Sequence, residues 1–198
     1  MKIGMYGGSF NPPHNGHLHL AEEIGRRAEL DKIIIIPSNI SPQKSNNGNI
    51  DPVHRINMCK EVFDSSLFEV SDCEIRRGGR SFTVDTLTFL KELYPDDELY
   101  LFMGSDMLLS FHTWYRYEDI LKMCTICAIS RDDDESAEML RHYAHTVLSR
   151  GKVLIFDIEP IEVSSSEIRE KLKNGKSCKG LISEKTEKYI KENKLYGQ

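Results

Sequence analysis

Apolar and polar positions follow two different periods along this chain. Short unbroken apolar runs, at Ile3 to Tyr6, Ile33 to Ile36, Leu99 to Met103, Cys124 to Ile129 and Lys152 to Asp157, have the length and β-branched content of buried strands. Between them apolar residues recur every three or four positions. Leu18, Ala21, Ile24 and Ala28 do so, as do Val84, Leu87, Leu90 and Leu93 before the stop at Pro95, which is the spacing of helices packed by one face. Further helices are predicted from about Val53 to Asp64, up to Leu121, from about Glu135 to Ser149, and from about Ser183 to Glu192 with Tyr189 and Ile190 facing inward. A strand is predicted around Phe68 to Ile75. Ser81 is placed to cap the helix that follows it, and Ser164 with Glu167 has the spacing of a capping box.

Strands alternating with helices predict an α/β fold: a Rossmann-like, doubly wound parallel sheet with helices on both faces. No repeat, low-complexity stretch or linker interrupts the series, so residues 1–198 read as a single domain. In such sheets ligands bind beyond the carboxyl ends of the strands. The unusual segments of this chain, Gly7 to His17, Pro37 to Lys44, Gly104 to Asp106 and Val163 to Arg169, all follow strand ends, so the fold should gather them on one rim.

The first of these segments carries the densest chemistry. Gly7-Gly8 is expected to let the backbone turn sharply and approach a ligand, and Pro12-Pro13 stiffens the entry to the first helix. His14 and His17, three residues apart, fall on one side of that helix, with Gly16 leaving room against the backbone. A helix start has unpaired N–H groups and the positive end of the macrodipole, so two imidazole donors there make a site for phosphate. A metal site on His14, His17 and His19 is the competing reading, and no Cys or carboxylate spacing nearby completes it.

Composition narrows the partners. The net charge of −5 argues against general nucleic-acid binding, whereas a mononucleotide needs only a local positive pocket. The most apolar run, Ile33 to Ile36, is far too short to span a bilayer, and no signal peptide is evident, so a soluble, cytoplasmic protein is expected. Five cysteines without framework spacing fit a reducing compartment. Cys124 and Cys127 form a C-x-x-C inside an apolar run, which a buried strand explains better than a redox or zinc pair. Arg76 to Arg80 reads as a basic turn, and Asp132-Asp133-Asp134 as a solvated loop.

Gly7-Gly8-Ser9-Phe10-Asn11-Pro12-Pro13-His14-Asn15-Gly16-His17 resembles the HxGH signature of the nucleotidyltransferase superfamily, in the fuller form found in bacterial nicotinate-nucleotide adenylyltransferases. The similarity continues through Ser41-Pro42-Gln43-Lys44, Arg55-Ile56-Asn57-Met58, Ser81-Phe82-Thr83-Val84-Asp85-Thr86, Phe102 to Asp106, Trp114-Tyr115-Arg116 and Val163 to Arg169. Asn11 stands where that family usually has Asp, Gln43 where it has His, and Ser166 where it has Thr. Arg131 is followed by aspartates instead of Pro-Gly.

The resemblance implies transfer of AMP from ATP to nicotinate mononucleotide, with Mg²⁺ accompanying ATP and no dedicated metal ligands in the protein. It assigns ATP to Gly7, Gly8, Ser9, Phe10, His14, His17, Lys44, Gly104, Asp106, Ser164, Ser165, Ser166 and Arg169. His17 would donate to the α-phosphate and His14 to adjacent oxygens, while Lys44 and Arg169 would neutralise the tail and Asp106 would accept from the adenosine. Nicotinate mononucleotide falls to Thr83, Trp114 and Tyr115. Neither nucleic acid nor membrane is implied as a partner, and a homo-oligomer is compatible with the reading. The rivals are another HxGH enzyme, such as a phosphopantetheine adenylyltransferase or a cytidylyltransferase, a dinucleotide-binding oxidoreductase, and a non-catalytic nucleotide sensor. Gly4, Gly7 and Gly8 lack the G-x-G-x-x-G spacing that the oxidoreductase needs.

Overall fold

The computed structural model describes residues 1–41, 50–130 and 134–197. Six strands form one parallel sheet: β1 (Lys2–Gly8), β2 (Lys32–Pro37), β3 (Phe68–Val70), β4 (Glu98–Gly104), β5 (Cys124–Ser130) and β6 (Lys152–Asp157). Their spatial order is β3-β2-β1-β4-β5-β6, so the winding reverses between β1 and β4. The register pairs Gly7 with Ile36 and Gly8 with Pro37 on one side of β1, and Met5 with Leu101 on the other.

Alternate residues of the strands enter different layers, as the period of two requires. Ile3, Met5, Ile34, Ile36, Leu99, Leu101, Ile126 and Ala128 pack together on one face against α4 (Thr83–Leu93) and α6 (Tyr117–Met123). On the opposite face Ile33, Ile35, Tyr100, Phe102, Cys127 and Ile129 pack against α1 (Asn15–Arg27) and α2 (Pro52–Val62). Gly4 belongs to this second face. A Cβ there would lie 2.9 Å from both Leu30 and Phe102, so the large ring of Phe102 is accommodated because the neighbouring strand has no side chain at that point. A third cluster joins Met58 of α2 to Ile168 and Leu172 of α8 (Ser165–Lys173), Ile182, Ile190 of α9 (Glu184–Glu192) and Leu195. The carboxy-terminal helices are thereby fastened beside the carboxyl end of β1.

Three expectations are corrected. The segment Phe68 to Ile75 is a strand only to Val70, and Cys73–Arg77 forms a short helix, α3, ended by Gly78 and Gly79 at positive φ. Arg76 and Arg77 of the expected basic turn therefore sit in the last turn of a helix, where cations complement the dipole. Ser81 does not cap α4: Phe82 occupies the N-cap, and the Ser81 hydroxyl accepts instead from the Asn39 N–H at 2.9 Å. Ser164 does cap α8, accepting from the Glu167 N–H at 3.1 Å, while the Glu167 carboxylate pairs with Lys171. The remaining helix from residue 134, α7 (Asp134–Thr146), covers β5 and β6.

Candidate active site

Beyond the carboxyl ends of β1 and β4, where the winding reverses, the chain opens into a cleft of about 980 Å³. That volume is at the top of the range of about 300–1,000 Å³ for small-molecule sites and suits two ligands of nucleotide size. Several helix starts reach it: His14 and Gly16 at α1, Phe82 and Thr83 at α4, and Ser164 and Ser165 at α8 all line the cleft. Converging helix N-termini make a region disposed towards anions.

The glycines behave differently from expectation. Gly7 and Gly8 are still within β1, and the sharp turn belongs to Phe10, at φ 45°. Phe10 is 1% exposed, and its ring lies edge-on to His17 at 5.0 Å and below Gly8, where a Cβ would approach it to 3.1 Å. Gly16 likewise makes room for protein, because a Cβ there would come within 2.9 Å of Val163 and 3.1 Å of the His14 ring.

The two imidazoles stack, with centroids 3.6 Å apart and planes inclined by 30°. His14 is the N-cap residue of α1 and His17 its third residue. The His14 N–H donates to His17 Nδ1 at 3.2 Å, which leaves the ring proton of neutral His17 on Nε2. His14 is 7% exposed, its Nδ1 is buried with no partner, and burial lowers its pKa to about 4. At neutral pH His14 is therefore an uncharged donor. Positive charge comes from Arg169, which donates through Nη1 to the Asn11 carbonyl at 2.7 Å and through Nη2 to the Ser166 hydroxyl at 3.0 Å. The Ser165 hydroxyl donates to the Pro12 carbonyl at 2.8 Å, so α8 and the histidine-bearing loop are bonded directly together.

At the other end of the cleft lie Glu74, Ser81 to Thr83 and Thr113 to Tyr115. The Trp114 ring packs on Phe111 at 5.2 Å, and its indole nitrogen is buried without a partner. Tyr115 is 57% exposed and leans on Phe82 at 4.9 Å. Glu74 is 4% exposed. It accepts from the Thr86 hydroxyl at 2.6 Å, and Arg77 donates to that same hydroxyl at 3.0 Å, which ties α3 to α4 beneath the cleft.

Comparison with known proteins agrees with this geometry. The cytidylyltransferase-like family model matches residues 5–171. The nicotinate-nucleotide adenylyltransferase of Bacillus subtilis is 37% identical over 196 residues, 98% of both chains, and the probable nicotinate-nucleotide adenylyltransferase of Fusobacterium nucleatum is 38% identical over 97% of this chain and 98% of its own. Among solved structures, the Plasmodium falciparum nicotinic acid mononucleotide adenylyltransferase complexed with NaAD superposes with a TM-score of 0.77 at 25% identity, covering 98% of this chain and 97% of that one.

This chain belongs to the nicotinate-nucleotide adenylyltransferases. Of the site positions expected from the sequence, Gly7, Gly8, Ser9, Phe10, His14, His17, Gly104, Ser164, Ser165, Ser166 and Arg169 line one cleft together with Thr83, Trp114 and Tyr115. Asp106 does not. It lies in the first turn of α5 (Ser105–Leu109), is exposed, and leaves the lining to Gly104, Ser105 and Met107. Gln43 and Lys44 lie outside the described residues, as do Arg131 to Asp133. Glu74 and Asn11 were not expected to face the cleft as acceptors, although Asn11 was visible as a departure from the family pattern. Cys124 and Cys127 are buried in β5, where burial pushes both thiols up to about 12, so neither is a thiolate at neutral pH.

Proposed function

We infer that this chain transfers AMP from ATP to the phosphate of nicotinate mononucleotide, giving nicotinate adenine dinucleotide and pyrophosphate in NAD biosynthesis. The observation that carries this reading is the continuity of the cleft from the stacked histidines and Arg169 to Trp114 and Tyr115. One volume can then hold a triphosphate at one end and a pyridine ring at the other.

The chemistry asks for donors and charge, not for a base. The attacking phosphate monoester has a second pKa near about 6 and is already anionic at neutral pH. Catalysis reduces to alignment and to stabilising charge that moves onto pyrophosphate. His17 Nε2–H is suited to donate to the α-phosphate, His14 to a neighbouring oxygen, and Arg169 with Lys44 to answer the charge of the leaving group. Ser164 to Ser166 add hydroxyl and N–H donors, Gly7 to Phe10 supply backbone against the nucleotide, and Gly104 with Ser105 borders the adenosine. No group of three His, Cys, Asp or Glu side chains converges among the described residues. Mg²⁺ would be brought by ATP and, when bound, would supply charge neutralisation beside Arg169 and the Ser164 to Ser166 donors.

At the other end, the face of Trp114 suits a cationic ring. Backbone N–H groups at Thr83 and Tyr115 can receive a carboxylate and offer no acceptor to an amide. All five cysteines are unpaired and buried, which suits the reducing cytoplasm. Among the described residues no helix is long and apolar enough to cross a membrane.

Pyrophosphate release from ATP in the presence of nicotinate mononucleotide, nicotinamide mononucleotide or phosphopantetheine tests the reading. Turnover is expected with nicotinate mononucleotide in preference to the amide. Silence there and turnover with phosphopantetheine would reassign the enzyme.

A further inference from the structure

Arg55, on the buried side of α2, is 1% exposed and among the largest fully buried side chains of the molecule. It does not line the cleft. Its Nη1 donates to the Ser9 carbonyl at 2.9 Å, its Nε has no partner, and it forms no ion pair with a carboxylate among the described residues. Asp51 and Glu74 influence it only through space, and desolvation opposes its charge. A guanidinium stays protonated even so. The fold therefore keeps in its interior a cation that no carboxylate touches among the described residues, an arrangement that a further opposite charge would favour.

The position of that cation suggests what the answering charge is. The turn it holds is the one that leads from β1 to the histidines: Arg55 grips the carbonyl of Ser9 while Arg169 grips that of Asn11, two residues on. Ser9 and Asn11 both line the cleft, so the same short stretch of backbone separates Arg55 from the space beside His14 and His17. Both guanidiniums act electrostatically on the Tyr196 side chain, whose hydroxyl donates to Asn11 Oδ1 at 2.6 Å. With a neutral His14 and a neutral Tyr196, no carboxylate among the described residues pairs directly with either arginine, and Asp51 and Glu74 act on Arg55 only from a distance.

We propose that Arg55 is the buried half of the triphosphate site: a fixed cation behind the Ser9–Asn11 turn that both pins the turn and is charge-balanced by the polyphosphate of ATP bound on its other side. It touches no substrate and acts through the turn and through its field, so it is a positioning residue. Low-dielectric surroundings make that field effective across the backbone, and the cost of burying the charge is borne by the unliganded protein. Polyphosphate binding and unliganded stability should thus respond to Arg55 in opposite directions.

The inference rests on the adenylyl-transfer reading only in taking ATP as the ligand at this end of the cleft. Calorimetric binding of MgATP alone and of nicotinate mononucleotide alone, with thermal unfolding of the unliganded protein, tests it on Arg55→Met and Arg55→Lys. For Arg55→Met the expected result is an ATP dissociation constant raised by about tenfold or more, a change of less than about twofold for nicotinate mononucleotide, and an unfolding temperature equal to or above that of the parent. Arg55→Lys, which keeps the charge and loses the fork, should bind ATP within about threefold of the parent. Unchanged ATP binding by Arg55→Met, or a parallel loss of stability and of both ligands, would overturn the proposal. If Arg55→Met does not fold, Arg55→Lys decides: an ATP loss of about tenfold in a folded lysine variant overturns the role of the charge. Failure of the unaltered protein to bind ATP would instead strike the adenylyl-transfer reading itself.

Discussion

His14 and His17 are a pair in sequence and stack as a pair in space, yet their environments divide the work between them. His14 is buried, and burial holds it neutral down to a pKa of about 4. His17 is only half-buried, and the His14 N–H on its Nδ1 turns Nε2–H outward as the donor. A donor of this kind, aimed where charge develops, is worth roughly 3–4 kcal/mol in the transition state. His17→Ala is therefore expected to lower kcat by about 10²–10³-fold while the unfolding temperature stays within a few degrees of the parent. Steady-state kinetics with a thermal melt on the same sample checks this, and a near-normal kcat would remove His17 from the transition state. The spacing of the two histidines was legible from the sequence because helical geometry fixes it. Their protonation was not, because it depends on the burial of His14, which arises only through folding.

At the scale of elements, the site depends on the carboxy-terminal helices clasping the loop between β1 and α1. Asn15 donates to the Leu181 carbonyl through its backbone N–H and to the Gly180 carbonyl through its side chain, both at 2.9 Å, in addition to the bonds from Ser165, Arg169 and Tyr196. Tyr196→Phe removes one hydroxyl and its hydrogen bond to Asn11 Oδ1 from this clasp, at a cost of about 1 kcal/mol. Its KM for ATP should rise by about three- to tenfold, with a loss of only a few degrees in unfolding temperature and an unaltered KM for nicotinate mononucleotide. Equal changes in both KM values would show that the hydroxyl braces the whole cleft. The periodicity of the chain already revealed most elements here, since buried strands and one-sided helices leave strong marks in sequence. What it misjudged were places where tertiary contacts decide: Ser81 was drawn off α4 by Asn39, Gly7 and Gly8 stayed in β1 because Ile36 and Pro37 pair with them, and the chain after Val70 closed into α3 around the Glu74 and Thr86 contact. The clasp itself left no sequence signal, because Tyr196 and Asn11 lie at opposite ends of the chain.

For the whole molecule, the buried imidazole links stability to pH. His14 has a folded pKa of about 4 against an ordinary value near 6.5, so between those values the unfolded chain binds a proton that the folded chain refuses. The sign follows directly: the contribution is fully present above about pH 6.5 and is lost as pH falls towards 4. It amounts to about 3 kcal/mol when complete, and to roughly 2 kcal/mol by pH 4.5. The carboxylates of Glu23, Asp64 and Asp119, held below their usual range by hydrogen bonds from Arg26, Lys185 and Lys122, add acid sensitivity of the same sign, so the slope of the parent alone cannot isolate the histidine. His14→Asn isolates it, because the asparagine does not titrate and the carboxylates remain. Denaturant midpoints measured from pH 7 to pH 4.5 should fall more steeply for the parent than for His14→Asn, by a difference of about 2 kcal/mol in unfolding free energy. Parallel curves would mean that His14 accepts its proton in the folded state at an ordinary pH. Below about pH 6.5 it would then enter the triphosphate site as a cation and share with Arg169 the charge assigned here to the arginines.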